Sequence, residues 1–142
     1  MRNRLPLGAF CVALLAACGA PHPTGGGSPA NPQDVASVRL FNAGLGEVTF
    51  HIPLFPGDTL PVEVRMYAAN GSQITRVTGG EELEFTFSPS TLASSTAVIG
   101  ESLVRDVTSS APAGTSGTLE VALHFPADLS TKTFGPFDVL VH

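Results

Sequence analysis

Three stretches of this chain alternate apolar and polar residues with a period of two. In VEVRMYA, Val62, Val64 and Met66 oppose Glu63, Arg65 and Tyr67. In ELEFTF, Leu83, Phe85 and Phe87 oppose Glu82, Glu84 and Thr86. In TLEVALHF, Leu119, Val121, Leu123 and Phe125 oppose Thr118, Glu120, Ala122 and His124. Successive side chains of an extended strand point to opposite faces, so each stretch offers one face to a core and the other to water. Strands of that kind belong to antiparallel sheets. No segment carries a sustained 3.6-residue period, and Gly or Pro interrupts most runs before a helix could form. The pattern predicts an all-β domain.

Five further strands are predicted near 35–41, 47–52, 73–78, 96–108 and 136–142. Asn42-Ala43-Gly44 with Gly46 separates the first two, and IPLFPGD carries two prolines ahead of VEVRMYA. Asn70-Gly71 is the strongest short hairpin signal in the chain. A two-residue loop there sets Tyr67 opposite Ile74, whereas the apolar alternation wants Met66 opposite; a three-residue loop with a bulge reconciles them. Asn70-Gly71-Ser72 is formally a glycosylation sequon, and the turn explains it fully.

The 108 residues from 35 to the end suffice for one domain and not two. Seven or eight short strands in that length, with regular turn signals, predict a two-sheet sandwich. The segment GDTLPVEVRMYAANGSQIT, followed by EELEFTFSPSTLAS, resembles bacterial immunoglobulin-like domains, and SGTLEVALHF resembles their penultimate long strand. The cysteine pair and tryptophan of antibody-type domains are absent from this stretch. The resemblance implies an immunoglobulin-like antiparallel β-sandwich of about 7–8 strands over residues 35–142. Its expected core is Leu40, Phe50, Val64, Met66, Phe85, Phe87, Val121, Leu123, Phe125, Phe137 and Val139.

The chain begins with Arg2 and Arg4, then the apolar run LPLGAFCVALLAA. That run is shorter than the about 20 residues a membrane-spanning helix needs. A basic start, a brief apolar stretch and small residues after it have the form of a secretory signal. Leu15-Ala16-Ala17-Cys18 resembles the lipobox of bacterial lipoproteins at all four positions. The resemblance implies cleavage after a signal peptide, residues 1–17, and a covalent lipid on Cys18. It also implies anchoring in the cell envelope and, because Gly19 and not an aspartate follows, delivery to the outer membrane. Two or more acyl chains hold a protein stably where one binds only marginally. Cys11 would leave with the signal peptide, so the mature chain would form no disulfide and depend on packing alone.

Without Arg2 and Arg4 the chain carries five basic against twelve acidic residues, a net charge of −7, with Lys132 its only lysine. That balance repels phosphate backbones and argues against nucleic-acid binding. Residues 18–34 are Gly-, Pro- and Ser-rich, a composition unable to bury enough surface to offset its ordering entropy. They are expected to form a flexible tether with a reach of roughly 20–25 Å, and His22 within it is expected to be solvated.

Chemistry-bearing groups are sparse. GTSGT at 114–118 lacks both the Gly-x-Ser-x-Gly spacing and the strand-to-helix setting of a serine nucleophile. Glu81, Glu82 and Glu84 follow Gly79-Gly80, with Glu82 and Glu84 on the polar face, where charge blunts edge-to-edge pairing. His51, His124 and His142 each take the outward parity of a predicted strand. Two of them on one sheet face beside a carboxylate such as Glu63 or Glu120 could hold zinc or copper, although none shows local metal-ligand spacing. Phe55 and Phe134 fall in Pro/Gly-rich loops and are candidate partner contacts. No acid/base or nucleophile constellation can be assembled, so no enzymatic activity and no cofactor beyond the lipid are expected. The sequence thus predicts a lipid-anchored binding or assembly module with an envelope protein partner. Metal or small-ligand binding by the outward histidines is the alternative.

Overall fold

The computed structural model describes residues 29–142, so the signal-like segment, Cys18 and His22 lie outside the described residues. The strands are β1 (Ser37–Asn42), β2 (Gly46–Glu47), β3 (Ile52–Leu54), β4 (Thr59–Tyr67), β5 (Gln73–Ile74), β6 (Glu82–Ser88), β7 (Ala93–Val98), β8 (Glu101–Ser109), β9 (Ser116–Phe125) and β10 (Ser130–Val141). One sheet has the order β2-β1-β4-β8-β7, with β5 also paired to β4; the other has the order β3-β10-β9-β6. All strand pairs are antiparallel except β3 with β10, which is parallel. The molecule is an all-β, two-sheet sandwich.

The period-two stretches fill its interior. Val62, Val64 and Met66 of β4 meet Leu83, Phe85 and Phe87 of β6 and Leu119, Val121, Leu123 and Phe125 of β9 in one buried cluster. Each such side chain contributes about 1.5–3 kcal/mol through removal from water, before entropy is counted. Leu40 and Val139 join them, and Phe137 packs half-buried against the cluster. The hairpin at Asn70-Gly71 resolves the register: Ala68 N–H donates to Ser72 O (2.9 Å) around a three-residue loop, with Gly71 at φ +83°. Met66 therefore faces Ile74, as the apolar alternation requires.

Several expectations need correction. The stretch 47–52 is not one strand. Thr49 Oγ1 accepts the Leu40 N–H (2.9 Å) and His51 N–H donates to Val48 O (3.2 Å), so a turn replaces the ladder and the chain crosses to the other sheet. Phe50 stands at that crossing and is 85% exposed, so it is not part of the core, contrary to expectation. The stretch 96–108 is two strands, because a turn at Ile99-Gly100, with Gly100 at φ +86°, divides β7 from β8. Of 73–78 only Gln73–Ile74 belongs to a strand; Val77 makes an isolated bridge to Ala30.

That bridge also shortens the expected tether. Pro32–Asp34 form a 3-10 turn in which Asn31 Oδ1 accepts the Gln33 N–H and Asp34 Oδ2 accepts the Asn31 N–H. Lys132 Nζ donates to the carbonyls of Gln33 (2.9 Å) and Val35 (2.8 Å), holding this segment against β10. Among the described residues, the folded domain therefore includes residues 30–34 and extends back beyond Val35. Strand β10 likewise begins earlier than residue 136. Pro136 lacks the N–H a regular ladder needs, and the pairing with β9 shifts register between Phe134 and Phe137 and then resumes.

Candidate functional site

Parallel pairing of β3 with β10 sets Ile52 beside Val139 and Leu54 beside Val141. Ile52, Leu54, Val139 and Val141 are buried, so the alternate residues Pro53 and Leu140 turn to the other face. His51 just before β3 and His142 just after β10 share that outward parity. His142 N–H donates to Leu54 O (2.8 Å), which carries the last residue alongside β3. The two imidazoles meet there, Nε2 to Nε2 at 3.2 Å, with ring centroids 5.5 Å apart and planes at 83°. Phe55, half exposed, lies against His142 with ring centroids 5.7 Å apart.

His124 belongs elsewhere. It points from β9 to the outer face of its sheet, where Nε2 meets Glu84 Oε2 and Nδ1 meets Thr131 Oγ1, both at 2.9 Å. Both ring nitrogens are occupied by neighbouring strands. Glu63 is also committed: its carboxylate takes two hydrogen bonds from Arg65, from Nε at 2.8 Å and Nη2 at 2.9 Å. The hydrogen bonding from Arg65 holds the Glu63 carboxyl below its ordinary range, against an opposing effect of burial and with further help from the Arg65 charge. The histidine trio weighed from the sequence is thus one pair and one separate residue. Among the described residues no group of three or more His, Cys, Asp and Glu is arranged to hold a metal ion.

Of the two candidate contact aromatics, only Phe55 is in a loop. Phe134 is part of β10 and packs half-buried against the core, so its assignment to a loop is corrected. The apolar residues most exposed are Ile99 at the β7–β8 turn, Leu129 at the β9–β10 turn, and Phe50. Tyr67 lies under the Arg39 guanidinium, 4.9 Å from carbon to ring centroid. In GTSGT, Gly114 N–H donates to Val141 O (2.7 Å) and Ser116 opens β9.

The side of the sandwich between β6 and β8 holds a residue that sequence reasoning missed. Arg105 shares the inward parity of Val107 and Ser109, both buried. Its Nη2 donates to the backbone carbonyl of Leu83 on β6, and its Nε is buried without a partner. Glu81, Glu82, Glu84 and Glu101 line the two shallow grooves beside it, yet no ion pair to Arg105 forms among the described residues. An arginine at an inward strand position was the available signal.

Two long strands lie at sheet edges on this side. Strand β6 pairs only with β9 and carries Glu82 and Glu84, with its Leu83 carbonyl taken by Arg105. Strand β7, Ala-Ser-Ser-Thr-Ala-Val, pairs only with β8 and has neither a charge nor a proline. No protein-family model matches the chain, and no curated protein matches it.

Proposed function

We propose that the chain is a lipid-anchored lipoprotein of a bacterial cell envelope whose immunoglobulin-like sandwich works by binding and has no catalytic role. The single observation that carries the binding role is the contrast between the two edges. Natural edge strands are defended by charge, proline, a bulge or a covering group; β6 has charge and the Arg105 bond, whereas β7 has only a register shift near its end, between Ala97 and Val98. An extended segment of a partner protein adds alongside β7, drawing affinity from backbone hydrogen bonds and selectivity from alternate side chains.

The order β1-β4-β8-β7 against β10-β9-β6 corresponds to the A-B-E-D and G-F-C sheets of immunoglobulin domains and supports that assignment. The lipobox Leu15-Ala16-Ala17-Cys18 supports the anchor. In this account acyl chains on Cys18 fix the protein at the outer membrane, and the Gly/Pro/Ser-rich run after it lets the sandwich reach its partner. The acidic chain, −7 without Arg2 and Arg4, has no role with nucleic acid.

Capture of partners from envelope extracts tests the edge. Ser94 and Thr96 are exposed on β7, and replacing both by Lys is expected to abolish capture while leaving the fold intact. Capture unchanged by those two charges would remove β7 as the binding edge.

A further inference from the structure

We propose that His51 and His142 form a two-histidine site for a late first-row divalent metal ion, Cu(II) or Zn(II). The proposal rests on the meeting of two imidazole nitrogens that lie 91 positions apart in the chain. Metal–imidazole bonds of about 2.0–2.1 Å at a near-tetrahedral angle need their two nitrogens about 3.3 Å apart. The Nε2 atoms of His51 and His142 stand at 3.2 Å. Backbone geometry already sets the bite: the two nitrogens face each other, and each ring must swing by roughly 35° to aim its lone pair at a shared tetrahedral point.

Without metal the same spacing is a hydrogen bond, in which one ring presents an N–H at Nε2 and the other accepts. With metal, both rings carry their protons on Nδ1 and both Nε2 atoms are ligands. The donor ring shifts its proton from one nitrogen to the other, so the two states differ in tautomer and rotation and not in fold. The pair is held where it is by the parallel β3–β10 ladder and by the His142 N–H bond to Leu54 O. The Phe55 ring covers one side of His142.

Imidazole is a ligand for zinc, copper and nickel, and affinities of divalent ions rise toward copper along the first row. Both histidines are exposed, so water or a second molecule completes the coordination shell. The negative net charge of the chain favours approach of a cation. The site stands apart from β7, which lies in the other sheet, so it does not depend on the binding role proposed above.

Calorimetric titration of the full chain with Zn(II) and with Cu(II) tests the site, with paramagnetic resonance of the copper form reporting its nitrogen ligands. The expected result is one saturable ion per chain and two imidazole nitrogens on copper. His51→Ala and His142→Ala should each weaken binding by about tenfold or more, since even indirect supports of a metal ligand contribute that much. His142→Asn, which keeps a polar group at the same exposed position, should lose binding as His142→Ala does. His124→Ala should leave affinity unchanged. No saturable uptake, or uptake that survives loss of His51 and His142 and so belongs to other ligands of the chain, would overturn the proposal.

Discussion

Arg105 on β8 donates from its guanidinium to the backbone carbonyl of Leu83 on β6, tying one sheet to the edge of the other. A charged side chain between the layers of a sandwich is costly unless its donors are satisfied. Here one donor is used on an edge carbonyl while Nε is buried without a partner. That carbonyl would otherwise be free to pair with another chain. The bond occupies an edge carbonyl at little net gain in stability.

Replacing Arg105 by Met separates those two roles. The substitution removes a charge-assisted bond of about 1.5–3 kcal/mol and relieves a buried unpaired donor whose penalty is about 1–3 kcal/mol. The two offset, so denaturant unfolding of Arg105→Met should shift by less than about 1 kcal/mol. Sedimentation should nonetheless show concentration-dependent self-association through the exposed β6 edge. A variant that sediments as the unmodified chain does at the same concentrations shows that Arg105 guards nothing.

The position of Phe50 makes a second contrast. Phe125 is fully buried, and Phe125→Ala should destabilise by about 3–5 kcal/mol through lost transfer energy and the cavity left behind. Phe50 is 85% exposed, and Phe50→Ala should fall within about 0.5 kcal/mol of the unmodified chain. Chemical denaturation of both variants checks this, and a large loss from Phe50→Ala would place that ring in the core after all.

Acid should weaken the outer face of the first sheet at Glu63. Its carboxyl is held below the ordinary value of 4.5, first by the Arg65 hydrogen bond and then by the Arg65 charge. A lowered folded-state value favours folding above the unfolded value, and the benefit is lost as pH falls through the folded value. Arg65 is shifted upward by the same contact and stays charged throughout. Both side chains are more than a third exposed, so screening limits the effect to less than about 1 kcal/mol. Comparing unfolding of Glu63→Gln with the unmodified chain at about pH 6 and about pH 3 should show the difference shrinking at the lower pH. An equal difference at both would show that the ion pair contributes nothing.

The strands that were legible in the sequence are those with one face in the core and one in water. Strands β4, β6 and β9 announce themselves because burial alternates residue by residue along them. The Asn70-Gly71 hairpin was legible for a different reason: Gly71 takes the left-handed conformation and local alternation fixes Met66 against Ile74. What escaped was set by distant partners. The chain crosses between sheets at 48–51 because Thr49 takes the Leu40 amide, a contact no periodicity reports. Parity alone sent His51 and His142 to solvent, correctly, but only the β3–β10 pairing brings their rings together. Ala30 and Asp34 read as tether because their anchors, Val77, Arg76 and Asn31, include residues more than 40 positions away. Arg105 lies within 96–108, whose pattern reads as one long strand although the fold divides it into β7 and β8.

Attachment through Cys18 is the claim on which the envelope role depends. Mass spectrometry of the N-terminal peptide, from protein recovered in the membrane fraction of a lipoprotein-processing bacterial host, measures it directly. The account predicts a chain that starts at Cys18, with a diacylglyceryl group on sulfur and an acyl group on the amine. A chain released in soluble form with an unmodified cysteine, or one that starts at another residue, would contradict it.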